Sequence, residues 1–253
     1  MIFCLEHIVN KKYINNTLYI FKMNIIQTWK TNDVPQHYQE YVRKIKNMNL
    51  HWNYMFFTDE DIVEFIQTKM PEYYETFINL GGKIQQIDFF RYLAIYYYGG
   101  MYLDLDIDII RPFNDFNDIS YNCIFPIEVK NAGDEILKNQ NAHLIGNYGF
   151  YSPKGHPFLK MIIDNIVHQL IPEDVIKKAQ IGHTDDARDV YVYYRTGPIL
   201  VSQTYIDYMK TKDEKYGVIL IESTPYEDNR LGPYGYHRCY GSWRHVHSDQ
   251  RPI

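Results

Sequence analysis

The sequence predicts an α/β fold with a largely parallel central sheet flanked by helices. Short apolar runs alternate with helical patterns through the first half of the chain, as strands joined by helical crossovers do. One stretch, QQIDFFRYLAIYYYGGMYLDLDID at 85–108, joins a helical pattern to a strand pattern through two glycines. Polar clusters, Gln27-Thr28-Trp29 and Asp104-Leu105-Asp106, fall at the carboxyl ends of two expected strands, where parallel sheets bind ligands.

In chain order, Met23-Asn24-Ile25-Ile26 is a short apolar run and reads as a first buried strand. Residues 35–49 read as a helix and 52–57 as a second strand. Thr58 then offers an N-cap, with Asp59, Glu60 and Asp61 as acids in a first helical turn. That helix runs through Ile62, Phe65 and Ile66 and stops before Pro71. A further helix is expected over 72–80, ended by Gly81 and Gly82. Later come strands at 123–128 and 149–152, a turn around Gly155, a helix over 158–170, and another led in by Arg195-Thr196-Gly197-Pro198. A late strand is expected at 218–222. The segment 1–22, with short apolar patches broken by charges, is expected to be an appendage ahead of one domain over 23–253.

The central block carries the most chemistry. Asp88 and Arg91 are three apart, neighbours on one helical face. Gly99 and Gly100 suit the left-handed backbone that ends a helix. In the strand that follows, alternation puts Met101, Leu103, Leu105 and Ile107 on one face and Tyr102, Asp104, Asp106 and Asp108 on the other. Aligned carboxylates beside an apolar face repel one another, so a positive partner is expected, with a divalent metal first. The plain alternative is an acidic edge strand facing water. An EF-hand loop does not fit, because Ile109 stands where that loop needs glycine.

Composition narrows the classes. The chain has 253 residues, 45% of them hydrophobic, enough for a sizeable core, and a formal net charge of −5. No basic face is advertised, which argues against nucleic-acid binding as the main activity. Cys4, Cys123 and Cys239 form neither a disulfide framework nor a paired metal motif. No segment approaches the ~20 apolar residues of a membrane span, and the N-terminus lacks the pattern of a signal peptide. A cytoplasmic or otherwise soluble location is therefore expected.

Taken together, IIQTWKTNDVP at 25–35, FFTDED at 56–61, QIDFFRYLAIYYYGGMYLDLDIDIIRP at 86–112, GFYSPKGHPFL at 149–159, RTGP at 195–198 and YHRCYGSW at 236–243 resemble the family 32 glycosyltransferases. That family contains Golgi-type and sphingolipid mannosyltransferases, with the glycosylating domains of large bacterial toxins as distant relatives. The resemblance implies a GT-A-like fold and a divalent metal, Mn2+ or Mg2+. It also implies a nucleotide-sugar donor, UDP-sugar favoured and GDP-mannose possible, and a glycan, lipid or protein acceptor. The anomeric configuration would be retained, with a front-face route favoured over a covalent intermediate.

By the same resemblance Asp106 ligates the metal, Asp104 contacts ribose and metal, and Asp108 occupies a third position. Asp88 and Arg91 hold the donor sugar. Trp29 lies against the nucleobase, with Gln27 or Thr28 at its polar edge. His237 closes the metal shell, and Ser242 and Trp243 reach the diphosphate. Asn147, Tyr148 and Thr196 face the acceptor. A zinc site made of Cys239, His245 and His247 is an alternative use of the tail. A metal-dependent phosphoesterase or nuclease, and a non-catalytic nucleotide-sugar-binding protein, are the competing functions.

Overall fold

The computed structural model describes residues 23–119, 121–211, 213–222 and 231–241, together with the backbone of two short strands, Tyr13–Ile14 (β1) and Thr17–Leu18 (β2), which pair antiparallel. Asn24–Thr28 (β3) is followed by Gln36–Met48 (α1), Asn53–Phe57 (β4) and Asp59–Lys69 (α2). The last begins as the sequence expects. Thr58 accepts from the Asp61 backbone while the Asp61 side chain reaches back to Thr58, a reciprocal capping box. A 3-10 turn and the short helix Tyr74–Asn79 (α3) lead into Lys83–Tyr98 (α4) and then Gly100–Leu103 (β5).

The strand expected over 101–108 is two strands. After β5 the chain turns at Asp104, Leu105 and Asp106, and Ile107–Ile109 (β6) leaves the sheet. The Ile107 amide donates to the Asp104 carbonyl within that turn. Beyond it come Cys123–Val129 (β7), Glu135–Lys138 (α5), Leu144–Ile145 (β8), Gly149–Ser152 (β9) and Pro157–Val167 (α6). Two helices follow that were not read from the sequence, Glu173–Gly182 (α7) and Ala187–Arg195 (α8). Pro198–Lys210 (α9), Val218–Ile221 (β10) and Gly235–His237 (β11) complete the described chain.

The central sheet has the order β10-β7-β9-β5-β3-β4, with β8 attached to β7. Strands β10, β7, β5, β3 and β4 run one way, and β9 and β8 oppose them. The sheet is thus mostly parallel, as expected. Alternation along its strands feeds two cores. Ile26 and Tyr102 pack with α2, α4, α6 and α9 on one face. Ile25, Met101 and Leu103 pack with Ile45, Trp52 and Phe113 on the other. Among the described residues no helix is long and apolar enough to cross a membrane.

The reversal between α4 and β5 sets the register of the site. Gly99 and Gly100 have φ of 70° and 111°, values that favour glycine. A Cβ on Gly100 would stand 2.2 Å from the Asn24 carbonyl oxygen of the neighbouring strand. Gly100→Ala is therefore expected to destabilise by on the order of 3 kcal/mol. Gly155→Ala, at φ 71° in open space, is expected to cost about 1 kcal/mol. Urea unfolding of the two variants measures the difference, and equal losses would contradict the packing argument.

Candidate metal and sugar site

Because α4 runs back antiparallel to β5, residues equally far from the glycine reversal meet. Arg91 lies eight residues before Gly99, about 12 Å along a helix, and Asp104 four after Gly100, about 13 Å along a strand. The Arg91 guanidinium accordingly reaches Asp104 Oδ1 at 3.4 Å and Asp88 Oδ1 at 3.2 Å. Its Nη1 donates to the Asn147 carbonyl at 2.7 Å. It also lies over the Tyr102 ring, 4.6 Å from the centroid. Arg91 and Asp88 are each only 3% exposed, so the pair is no solvated surface bridge.

Asp88 is held from three sides. Thr196 Oγ1 donates to Oδ2 at 2.8 Å and Asn147 Nδ2 to Oδ1 at 3.0 Å, while Tyr92 ties both neighbours together through its hydroxyl. Asn147 and Thr196, expected to face an acceptor, here both donate to this carboxylate. Burial pushes the Asp88 carboxyl up to about 6, against the pull of Arg91, Thr196 and Asn147. Burial opposes the Arg91 charge too, but Asp104, Tyr102 and Asp88 outweigh it and hold the guanidinium firmly charged.

The turn after β5 brings the second constellation together. Single ligand atoms of Asp104, Asp106 and His237 all lie within 4.8 Å of one another. Tyr102 donates to Asp104 Oδ1 at 2.8 Å, and the Asp104 amide is pinned to the Tyr148 carbonyl at 2.7 Å. Asp106 Oδ2 accepts from the Tyr240 amide at 3.0 Å. His237 arrives on β11, which pairs antiparallel with β6. Its Nε2 stands 3.4 Å from Asp106 Oδ1, and its ring stacks on Tyr148 with centroids 4.2 Å apart.

Burial works against a charged imidazole here, yet the hydrogen bonds to Asp106 and Cys239 and the charges of Asp106 and Asp104 raise His237 to about 10. Asp106 is lowered despite burial, chiefly by His237 and the Tyr240 amide. Asp104 is raised by burial, with Arg91 opposing. Asp104 and Asp106 thus favour positive charge between them, and a metal bound there would take the place of the imidazole proton. Two carboxylates and one imidazole on converging atoms are a donor set that suits a manganese- or magnesium-type cation, with open positions for further oxygen ligands.

Asp108 does not join this set. Alternation on one strand placed it beside Asp104 and Asp106, but the turn sends it elsewhere. It accepts from Lys44 Nζ at 2.5 Å and pairs with the Arg238 guanidinium. It thereby clamps β11 and α1 to β6. Sequence reading missed this clamp, as it missed Tyr148 and Tyr102 as supports of the site.

Of the residues expected at a nucleobase, Trp29 is half-buried at the end of β3, edge-on to Tyr38 with centroids 5.2 Å apart. The Gln27 amide is committed within the protein, donating to the carbonyls of Leu103 and Asp104 and accepting from Tyr54. Thr28 Oγ1 lies 3.4 Å from the Tyr102 hydroxyl. Ser242 and Trp243, with His245 and His247, lie outside the described residues.

A model of the glycosyltransferase sugar-binding region containing the DXD motif covers residues 35–123, the stretch from α1 to the start of β7. Inositol phosphoceramide mannosyltransferase 3 of Schizosaccharomyces pombe is 27% identical over 201 residues, 79% of this chain and 49% of that protein. Mannosyl phosphorylinositol ceramide synthase SUR1 of Saccharomyces cerevisiae is 39% identical over 82 residues, 32% of this chain and 22% of that protein. The chain thus spans about half the length, or less, of these relatives. The solved PaToxG glycosyltransferase is similar in fold, with a TM-score of 0.50 and 16% identity over 77% of this chain and 72% of that one. The resemblance to DXD glycosyltransferases therefore stands, and the fold is GT-A-like.

Two outcomes follow from the charges. Asp108→Asn leaves Lys44 and Arg238 facing each other; both are about two-fifths exposed. The expected loss is therefore only about 1–2 kcal/mol, read as a lower urea midpoint, and no loss would remove the clamp. For Asp88, the folded value lies above the ~3.9 of an unfolded aspartate. Its contribution to stability is full below about pH 4 and lost as pH rises through about 6. Asp88→Asn should shrink the stability difference between pH 4 and pH 7, measured by urea unfolding at both. An unchanged difference would show that Asp88 is not buried as described.

Proposed function

We propose that this chain is a metal-dependent, retaining hexosyltransferase that takes its sugar from a nucleotide-sugar donor. The observation that carries the proposal is the adjacency of two groups: the converging Asp104, Asp106 and His237 atoms, and the buried Asp88/Arg91 pair that touches Asp104 through Arg91. Transfer from a sugar diphosphate needs both, a place for the anionic leaving group and a place for the hydroxyl-rich ring. The names of the relatives make mannose the first hexose to test, with GDP-mannose as its donor, alongside UDP-hexoses. Glycan, lipid and protein acceptors remain the classes in play, and residues 23–253 are proposed to act as one catalytic domain.

A divalent cation held by Asp104, Asp106 and His237 would neutralise the charge that grows on the departing diphosphate. The chain's own residues supply the rest. Asp88 Oδ2 takes one bond from Thr196 and keeps an acceptor position for a sugar hydroxyl. Arg91, fixed by Asn147 and Asp88, presents a planar cation beside the sugar and the diphosphate. Trp29 offers an aromatic face to the base. Ser242 and Trp243 are assigned to the diphosphate, as the resemblance implies. A front-face route suits a site in which both carboxylates nearest the proposed anomeric centre are engaged, Asp88 by Thr196, Asn147 and Arg91, and Asp104 by Tyr102 and Arg91.

The test is release of nucleotide from GDP-mannose, UDP-glucose and UDP-galactose with and without manganese. Activity should vanish with chelator and return with metal, and Asp106→Asn should lower it by at least a hundredfold with an unchanged far-UV spectrum. Full turnover in chelated protein, or in the variant, would overturn the metal role.

A further inference from the structure

Buried polar side-chain atoms without a partner are rare in folded proteins, and each calls for a reason. Among the described residues three stand out: Gln85 Nε2, Gln85 Oε1 and Arg91 Nε. All belong to α4, and they bracket Asp88 on one rising stripe, 85–88–91. Side chains three apart on a helix are neighbours, about 5–6 Å between Cβ atoms. Gln85 is 2% exposed. Its Oε1 lies beside Gly81, where an added Cβ would stand 3.1 Å away.

The unmet valences discriminate among ligands. An amide needs an acceptor for its N–H groups and a donor for its oxygen. A phosphate accepts only and leaves Oε1 unpaired. A cation satisfies Oε1 and leaves the N–H groups unpaired. Adjacent hydroxyls both donate and accept, and a further hydroxyl oxygen suits Arg91 Nε. Position agrees with chemistry, because α4 runs antiparallel to β5. Passing from Arg91 back to Gln85 moves about 9 Å beyond the level of Asp104, away from the sheet edge and the proposed diphosphate. If Asp88 holds the donor sugar, a hexose attached to that diphosphate would extend in this direction.

We propose that Gln85 is a specificity-determining residue whose side-chain amide exchanges hydrogen bonds with hydroxyls of the donor hexose held by Asp88 and Arg91. The inference rests on the sugar-transfer reading above. Gln85 is shut off from solvent beside Gly81, so a hydrogen bond from its amide to a sugar requires the turn at Gly81 and Gly82 to give way.

Gln85→Met tests this, because methionine matches the length of glutamine and makes no strong hydrogen bond. Titrations would use GDP-mannose, UDP-glucose, UDP-galactose and UDP-N-acetylglucosamine, each with manganese, against GDP and UDP alone. For the donors that wild type binds, the variant should bind roughly tenfold or more weakly, while GDP and UDP bind as before. Its melting temperature should be unchanged or higher, since removal of an unpaired buried amide does not destabilise the empty protein. Unchanged affinity for the nucleotide sugar would overturn the role of Gln85 alone. A lowered melting temperature would identify a structural amide and overturn it as well. Wild-type protein that binds none of the donors would instead sink the sugar-transfer reading, and this inference with it.

Discussion

One buried positive charge organises the candidate site. The Arg91 guanidinium is taken out of water, which costs several kcal/mol unless anions and acceptors surround it closely. Asp88, Asp104 and the Asn147 carbonyl do so, and the Tyr102 ring covers a face. These partners come from α4, the end of β5 and the loop between β8 and β9. Satisfying one cation therefore fixes α4, the strand that follows it and a loop far along the chain. Thr196 extends the same network to the end of α8 through Asp88 and Tyr92.

Charge balance governs the next shell too. Asp104, Asp106 and Asp108 are close in sequence, yet each finds a different basic partner: Arg91, His237, and the pair Lys44 and Arg238. The turn at Asp104, Leu105 and Asp106 makes this division possible by sending Asp108 away from its neighbours. It also frees β6 to pair with β11, which carries His237 and is followed at once by Arg238. A strand of three residues is marginal by itself. The Asp108–Arg238 ion pair just past its end and the stacking of His237 on Tyr148 hold it beside Asp106.

Much of this was legible locally. Thr58 and Asp61 announce a helix start, and Gly99 and Gly100 mark the reversal that brings Asp88, Arg91 and Asp104 together. The residues with hidden roles have partners far along the chain. Asn147 and Thr196 are 59 and 108 positions from Asp88, and Arg238 is 130 from Asp108. No local pattern reports such pairings. The break after β5 was hidden for another reason. Residues 101–108 alternate perfectly, so periodicity calls for one strand, and only the Tyr148 carbonyl and β11 draw the chain out of the sheet. The helices α7 and α8 did carry signals, acids after Pro172 and an Asp186 N-cap that accepts from Arg188, which sequence reading passed over.

Asp104, Asp106 and His237 are proposed to form one cation site beside the Asp88/Arg91 pair. Anomalous diffraction at the manganese edge, on crystals grown with manganese and the nucleoside diphosphate that binds, tests it most directly. A single strong peak is expected within coordinating distance of all three residues, with the diphosphate on its open side. A peak elsewhere, or a diphosphate bound away from Asp106 and His237, would contradict it.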